Sequence, residues 1–322
     1  MKRIIKKVVI LAVGVFLSIN LLNSFFFHFL IKNVYSDGSY NWVDKVSPRI
    51  LIMGSSSVLY GLSPGVITQE LNLPEGSVVV LAKNGRTPAS NYFLYKSIEK
   101  DLDKAEAIFY GLDPHFFSRH YFETDNLFPA DWSLTERCKI IREDKDAKLL
   151  AFFGGDLKTN AEAFFDNMGH RDAPVPPDFG AKVIKRKMTR QPFKVQEPFA
   201  YGKFDISVEY ISYLKMLKES AEKSGKKFIL YLAPASYSWT SAYKDSCAYF
   251  DKEFYTAMNK YLGPVALAGG FSQIPVEHED SCFSDIHHLN ESGQKELSIK
   301  FAHELPGYME LKPAFMHALY AY

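Results

Sequence analysis

Five short, nearly uninterrupted apolar runs, each closing at glycine, alanine or proline, constrain this chain more than any other feature. They are Arg49–Gly54 (RILIMG), Ser77–Ala82 (SVVVLA), Ala105–Gly111 (AEAIFYG), Lys226–Pro234 (KKFILYLAP) and the less regular Gly263–Ala268 (GPVALA). A run that is apolar at successive positions, rather than at alternate ones, reads as a strand buried on both faces. Helical patterns lie between the runs, at Pro88–Leu102, Ile206–Lys223 and Asp251–Tyr261. A last helix begins near Asn290 and carries Leu297, Phe301 and Leu305. Strands that alternate with helices predict an α/β fold with a mostly parallel sheet covered on both sides. The stretch from about 115 to 205 breaks this rhythm. It is rich in Pro, Gly, Phe and charge, with Pro174-Val175-Pro176-Pro177-Asp178 as its densest turn signal. It reads as an insertion between the third and fourth strands, of the kind that forms a lid or a partner surface.

The N-terminus sets the expected compartment. Val8 to Ile31 is a run of 24 residues without Asp, Glu, Lys or Arg, and about 20 apolar residues in a helix cross the hydrocarbon layer. Lys2, Arg3, Lys6 and Lys7 precede it, a cluster that stays cytoplasmic under the positive-inside rule. The expected organisation is a basic tail over 1–7, a transmembrane signal anchor over 8–31 and a linker over 32–48. A domain over 49–310 and a short tail over 311–322 follow, both outside the cytoplasm. A cleaved signal peptide usually has a shorter apolar region and a small-residue cleavage site, and no A-x-A pattern follows this run. A buried core helix is the other alternative; it rarely lacks a polar face over six turns. Asn20 and Asn23 are polar groups within the run that cost energy in lipid unless paired.

Composition excludes several classes. Over 322 residues, 47% apolar and 23% charged content is that of an ordinary globular protein. Lys+Arg at 38 against Asp+Glu at 37 gives a net charge of +1, which argues against gripping nucleic acid through phosphate neutralisation. Cys138, Cys247 and Cys282 form no CxxC pair, so neither a disulfide scaffold nor a structural zinc site is expected. Pairing of Cys247 with Cys282 is left open. Aromatic content is 15%. Phe116, Tyr121 and Trp132 of the insertion are candidates for stacking on sugar faces, against the commoner role of packing a long loop.

In an open α/β sheet, ligands bind beyond the carboxyl ends of the strands. The first strand exits into Gly54-Ser55-Ser56-Ser57. A serine on such a turn has its hydroxyl lifted clear of the sheet, and the following helix aims backbone N–H groups at an oxyanion. Similar turns also hold phosphates or cap helices, but the lysine of a phosphate loop is missing. The second constellation is Ser284-Asp285-Ile286-His287-His288-Leu289-Asn290-Glu291-Ser292-Gly293. A serine nucleophile needs a base, and the base needs a carboxylate to fix its tautomer. Asp285 and His288 answer that need, with His287 as the alternative base. The plainer alternatives are a helix start capped by Asn290, or a metal site at Asp285, His287 and His288. Apart from His278-Glu279-Asp280, no further compact cluster completes a ligand set.

Gly54-Ser55-Ser56 after the first strand, with Asp285-x-x-His288 before the last helix, resembles the SGNH/GDSL hydrolase superfamily. The resemblance implies a flavodoxin-like three-layer α/β/α sandwich and a Ser56–His288–Asp285 triad, with no metal or other cofactor. Ser55 and Ser57 are the neighbouring alternatives to Ser56. The family's second block places Gly85, in Asn84-Gly85-Arg86-Thr87, as an oxyanion-hole donor beside the Ser56 N–H. Its third block is Gly-x-Asn, whereas this chain has Gly111-Leu112-Asp113; a carboxylate at Asp113 repels an oxyanion or has another task. With the N-terminal anchor, the pattern is similar to the membrane-anchored branch that includes alginate O-acetylation proteins and the D-alanine transfer protein of teichoic-acid operons. That similarity implies an acyl donor, a cell-surface polysaccharide or polymer acceptor and a membrane-bound O-acyltransferase as partners. The competing expectation is a non-catalytic accessory protein that docks such an acyltransferase or presents its polymer.

Overall fold

A computed structural model of the protein describes residues 42–113, 117, 174–188, 206–234, 236, 244–268, 280–285, 287–310 and 313, with isolated positions between 6 and 21. Trp42–Phe122 with Pro174–Tyr322 forms one compact unit, and Met1–Asn41 with Glu123–Ala173 another. Every strand and labelled helix below belongs to the first of these. In chain order they are α1 (Val43–Val46), β1 (Ile50–Gly54), α2 (Ser56–Leu59), α3 (Pro64–Glu70), β2 (Val78–Ala82), α4 (Pro88–Ile98) and β3 (Ala107–Leu112). After the insertion come α5 (Val208–Lys223), β4 (Lys227–Leu232), α6 (Lys244–Tyr261), β5 (Ala266–Ala268) and α7 (Glu291–Tyr308).

The five strands form one parallel sheet in the order β2-β1-β3-β4-β5. All five expected strands are present, the expected α/β class holds, and strand burial explains the apolar runs. Ile50, Ile52, Val78, Val80, Phe109, Ile229 and Tyr231 pack with Val58, Leu59 and Ile67 and with Leu297, Phe301 and Leu305 of α7. Side chains alternate across a strand, so Leu51, Met53, Val79, Leu81, Ile108, Tyr110 and Leu230, also buried, face the other side, where α4 and α5 lie on β1 and β4. Helices on both faces of a parallel sheet leave no strand a wet side.

Two glycines let α2 sit close on the sheet. Met53 is in register with Tyr110, so Gly54 comes level with Gly111. A Cβ on either residue would overlap Val58 Cγ2, and one on Gly111 would also fall 2.9 Å from the Tyr231 ring. Gly54 also has φ +155, which L-residues rarely adopt.

Two boundaries differ from the sequence expectation. Trp42 and Val43, in the stretch read as linker, are each 1% exposed, because α1 closes over the start of the sheet where Val46 packs beside Gly76. The segment Pro174–Met188, read as part of the insertion, belongs to the compact α/β unit. It enters through a short 3-10 turn, Pro177–Gly180, where the Asp178 carboxylate accepts the Gly65 N–H at 2.6 Å.

The expected transmembrane run at 8–31 lies largely outside the described residues. Those described between 6 and 21 are helical, and Ile10, Leu11, Val13, Val15, Leu17 and Leu21 are all exposed. Among the described residues no helix is long and apolar enough to cross a membrane. Phe116, Tyr121, Trp132 and Cys138 lie outside the described residues, as does the side chain of Cys247.

Candidate active site at the carboxyl ends of the strands

In this strand order the chain turns opposite ways from β1 and from β3, and the crevice between their carboxyl ends is where ligands bind in doubly wound sheets. Ser55 leaves β1 and Asp113 leaves β3 at this point. The parallel register that sets Gly54 beside Gly111 brings them together although 58 positions apart in sequence: Ser55 Oγ donates to Asp113 Oδ2 at 3.1 Å. Ser57 Oγ donates to the same oxygen, and the two hydroxyls stand 3.2 Å apart. Ser55 occupies the N-cap position of α2 but makes no side-chain capping bond, because its hydroxyl is turned to Asp113.

Between these two clamped serines sits Ser56, the first residue of α2. It is 9% exposed. Unlike its neighbours, its hydroxyl makes no hydrogen bond among the described residues. Four positions further on is Tyr60, and residues at this spacing share one face of a helix. The Tyr60 ring meets the His288 ring edge to face, with centroids 5.2 Å apart. The loop before α7 thereby meets the end of α2, four residues after Ser56.

That motif is built from local bonds. Asn290 caps α7: its Oδ1 accepts the N–H groups of Ser292 and Gly293 at 3.1 Å each, and its amide donates to Ser281 O and Phe283 O. Phe283 and Leu289 pair across the loop as an antiparallel bridge, and Ser284 N–H and Oγ both donate to His288 O. Within this loop Asp285 Oδ1 accepts the N–H groups of His287 and His288 at 3.0 Å each. Asp285 Oδ2 lies 2.8 Å from His288 Nδ1. The capping expectation and the carboxylate–histidine expectation are thus both realised, in successive turns of one loop.

Partial burial by itself would raise the Asp285 carboxyl. The His288 ring bond and the two backbone N–H bonds outweigh it and hold the group down at about 2. The carboxylate is therefore ionised at neutral pH and accepts only, so Nδ1 carries the ring proton. The opposite ring nitrogen, Nε2, is buried and has no hydrogen-bond partner among the described residues. His287 contributes its backbone N–H to Asp285, while it is the His288 ring that the carboxylate orients. This separates the two histidines the sequence left as alternatives.

Gly85 lies in the turn after β2, where Arg86 N–H bonds Lys83 O at 3.2 Å. Its φ is +69, and the space a Cβ would occupy is open. α2 packs against β2, which sets this turn on the same rim as Ser56. Beneath the rim, burial and then the Asp113 charge push the Tyr231 phenol up. Burial does the same to Tyr110, whose hydroxyl accepts from Asn91 Nδ2 at 3.2 Å.

Among the described residues no group of three His, Cys, Asp or Glu side chains could hold a metal ion. Cys282 is a buried free thiol, 3.6 Å from Glu296 Oε2. Sequence reasoning passed over Tyr60; its only signal there was the four-residue spacing from Ser56. It also passed over the pairing of Asp113 with the serines on both sides of Ser56. No known family model matches the chain, and no curated protein has a significantly similar sequence.

Proposed function

We propose that the protein is a serine acyltransferase or acylesterase with an SGNH-hydrolase-like, flavodoxin-like fold, anchored by its N-terminal helix with its catalytic domain outside the cytoplasm. One observation carries this reading. An ionised Asp285 holds the proton of His288 on Nδ1, the opposite nitrogen is left without a partner among the described residues, and the ring meets Tyr60, four residues after Ser56. This is the arrangement a serine nucleophile requires.

In the proposed reaction, His288 Nε2 takes the proton from Ser56 Oγ as that oxygen attacks the acyl carbonyl carbon. The N–H groups of Ser56 and Gly85 receive the oxyanion, a contribution of several kcal/mol when donors are preorganised. Collapse breaks the bond to the leaving group, which takes the proton from His288 and leaves an acyl ester on Ser56. A hydroxyl of a sugar or other surface polymer, or water, then gives its proton to His288 and attacks the ester, regenerating Ser56. Asp285 stays ionised throughout and stabilises the imidazolium. The acyl donor, the polymer acceptor and a neighbouring membrane-bound O-acyltransferase are the partners this reading implies.

The test is labelling of the full chain in detergent by a serine-directed fluorophosphonate. Wild type is expected to label and Ser56→Ala to fail while keeping the wild-type melting temperature. Undiminished labelling of Ser56→Ala would remove that residue from the mechanism.

Asp113 favours a second reading, a non-catalytic accessory protein that docks an acyltransferase or presents its polymer, because a carboxylate stands where the resembled family places an oxyanion donor. Full complementation of a deletion strain by a Ser56→Ala/His288→Ala variant would decide for it.

A further inference from the structure

Tyr60 closes α2, and the backbone around it is held on both sides. Its N–H donates back to Ser56 O at 3.0 Å, and Leu59 O accepts the Lys182 N–H at 2.9 Å. Lys182 O in turn accepts from Gln294 Nε2 of α7 at 2.9 Å. The Tyr60 side chain is half-buried and packs against the core that α2 shares with α7. The residue is therefore tied both to the helix that bears Ser56 and to the helix that follows the His288 loop.

His288 is covered unevenly. Its side chain is 25% exposed, yet Nε2 is buried. Asp285 occupies Nδ1, so the nitrogen without a partner among the described residues is the one that solvent does not reach. Among the described residues Tyr60 supplies the only aromatic ring against the imidazole, with centroids 5.2 Å apart and planes at 80°. A buried polar atom left unmet carries a desolvation cost, which a group that hydrogen-bonds it removes. Water settles in a buried place when it finds roughly two to four polar partners, and an aromatic wall offers none. An alcohol bonding Nε2 needs fewer, because its carbon atoms gain by lying on the ring.

We propose that the Tyr60 ring shields His288 Nε2 from water and so steers the acyl group on Ser56 to an alcohol rather than to hydrolysis. The steering rests on the catalytic reading, but the shield is measured without turnover. An alcohol lying along the ring gives its proton to Nε2 as its oxygen bonds the acyl carbon. The bond from that carbon to Ser56 Oγ then breaks, and Oγ recovers the proton from His288. Water on the same route yields a carboxylic acid. Tyr60 is a positioning residue, acting through His288. Both acceptors compete for one intermediate, so the ratio of new ester to acid does not move when a variant merely slows acylation or lowers the amount of active protein.

The shield is read with diethyl pyrocarbonate, which acylates an unprotonated imidazole nitrogen, on the full chain in detergent with His288 followed by peptide mass spectrometry. Tyr60→Ala should react at His288 at least tenfold faster than wild type, and Tyr60→Phe at the wild-type rate. The steering is read with nitrophenyl acetate as donor and glycerol as acceptor, as the ratio of glyceryl acetate to acetate. That ratio should fall at least tenfold in Tyr60→Ala and stay within twofold of wild type in Tyr60→Phe. Where Tyr60→Ala unfolds under the assay, Tyr60→Leu takes its place, with the same directions expected.

Equal reaction of His288 in wild type and in the variant without the ring overturns the proposal. So does an unchanged product ratio, or exclusive hydrolysis by wild type. Equal losses in Tyr60→Phe and Tyr60→Ala would transfer the role from the ring to the hydroxyl and overturn it as well. A protected His288 that Tyr60→Ala exposes, with no ester turnover by wild type, sinks the catalytic reading and the steering with it, and leaves the shield standing.

Discussion

Asp285 holds His288 at two points, its Oδ2 2.8 Å from the ring Nδ1 and its Oδ1 accepting the backbone N–H of the same residue at 3.0 Å. One carboxylate thus sets both where the ring stands and which nitrogen bears the proton. In Asp285→Asn the amide can turn its NH2 toward Nδ1 and move the ring proton to Nε2, the wrong tautomer for a base. Ester turnover should fall by roughly 10⁴-fold, as for the same substitution in a Ser-His-Asp triad, with kcat carrying most of the loss. A change smaller than threefold would mean that the pair does not serve the chemistry.

The same carboxylate makes stability depend on pH. Its folded value, about 2, lies below the ordinary carboxylate range that it regains on unfolding. Its contribution is therefore complete above about pH 4 and disappears as pH falls toward 2. The side chain is 40% exposed, so solvent screening reduces the contribution to about 1 kcal/mol. Urea melts of wild type and Asp285→Asn should differ by that amount at pH 7 and converge near pH 2. A gap that stays constant with pH would contradict this assignment.

Asp113 offers a substitution with an unusual expected sign. An asparagine Oδ1 can still accept from Ser55 and Ser57, while the negative charge beside Ser56 is gone and an amide donor replaces it. One oxyanion donor is commonly worth about 10²–10³-fold. Asp113→Asn should accordingly raise kcat for a neutral ester, by about tenfold if the amide points only partly at the oxyanion. A tenfold loss would show instead that the carboxylate itself is required.

Close approach of α2 to the sheet is testable through Gly111. Gly111→Ala places a methyl group against Val58 Cγ2 and 2.9 Å from the Tyr231 ring, and overpacking of this kind costs about 1–3 kcal/mol. The melting temperature should fall and be partly restored in Gly111→Ala/Val58→Ala. No recovery in the double variant would place the conflict elsewhere.

Asn290 joins helix and loop. Asn290→Ala removes an N-cap, worth about 1 kcal/mol, together with two bonds to carbonyls of the loop before Asp285. Asn290→Asp retains the cap but loses both donors. Thermal unfolding should rank wild type above Asn290→Asp and that above Asn290→Ala, with ester turnover following the same order because the donors fix the loop that holds His288. Equal stability of the two variants would leave the amide donors without a role.

Continuous apolar runs announced all five strands because a strand covered on both faces has no position for a polar side chain, and that condition is written residue by residue. The Asn290 cap and the Asp285–His288 pair were legible for a similar reason: their partners lie two to nine positions apart, within reach of a single turn. The role of Asp113 was not legible. Its partners Ser55 and Ser57 are 58 and 56 positions away, and they meet only because β1 and β3 align Gly54 with Gly111. Tyr60 was hidden in the same way, since its contact with His288 spans most of the chain.

Periodicity and capping are local, so the sequence alone determined where the five strands and the four longer helices lie, while the short helices before β2 and the choice between His287 and His288 emerged only in the structure. Setting Tyr60 against the His288 ring and clamping Ser55 and Ser57 onto Asp113 both depend on sheet register and helix packing. Those relations exist only once the whole core has closed, and the tertiary structure alone decided them.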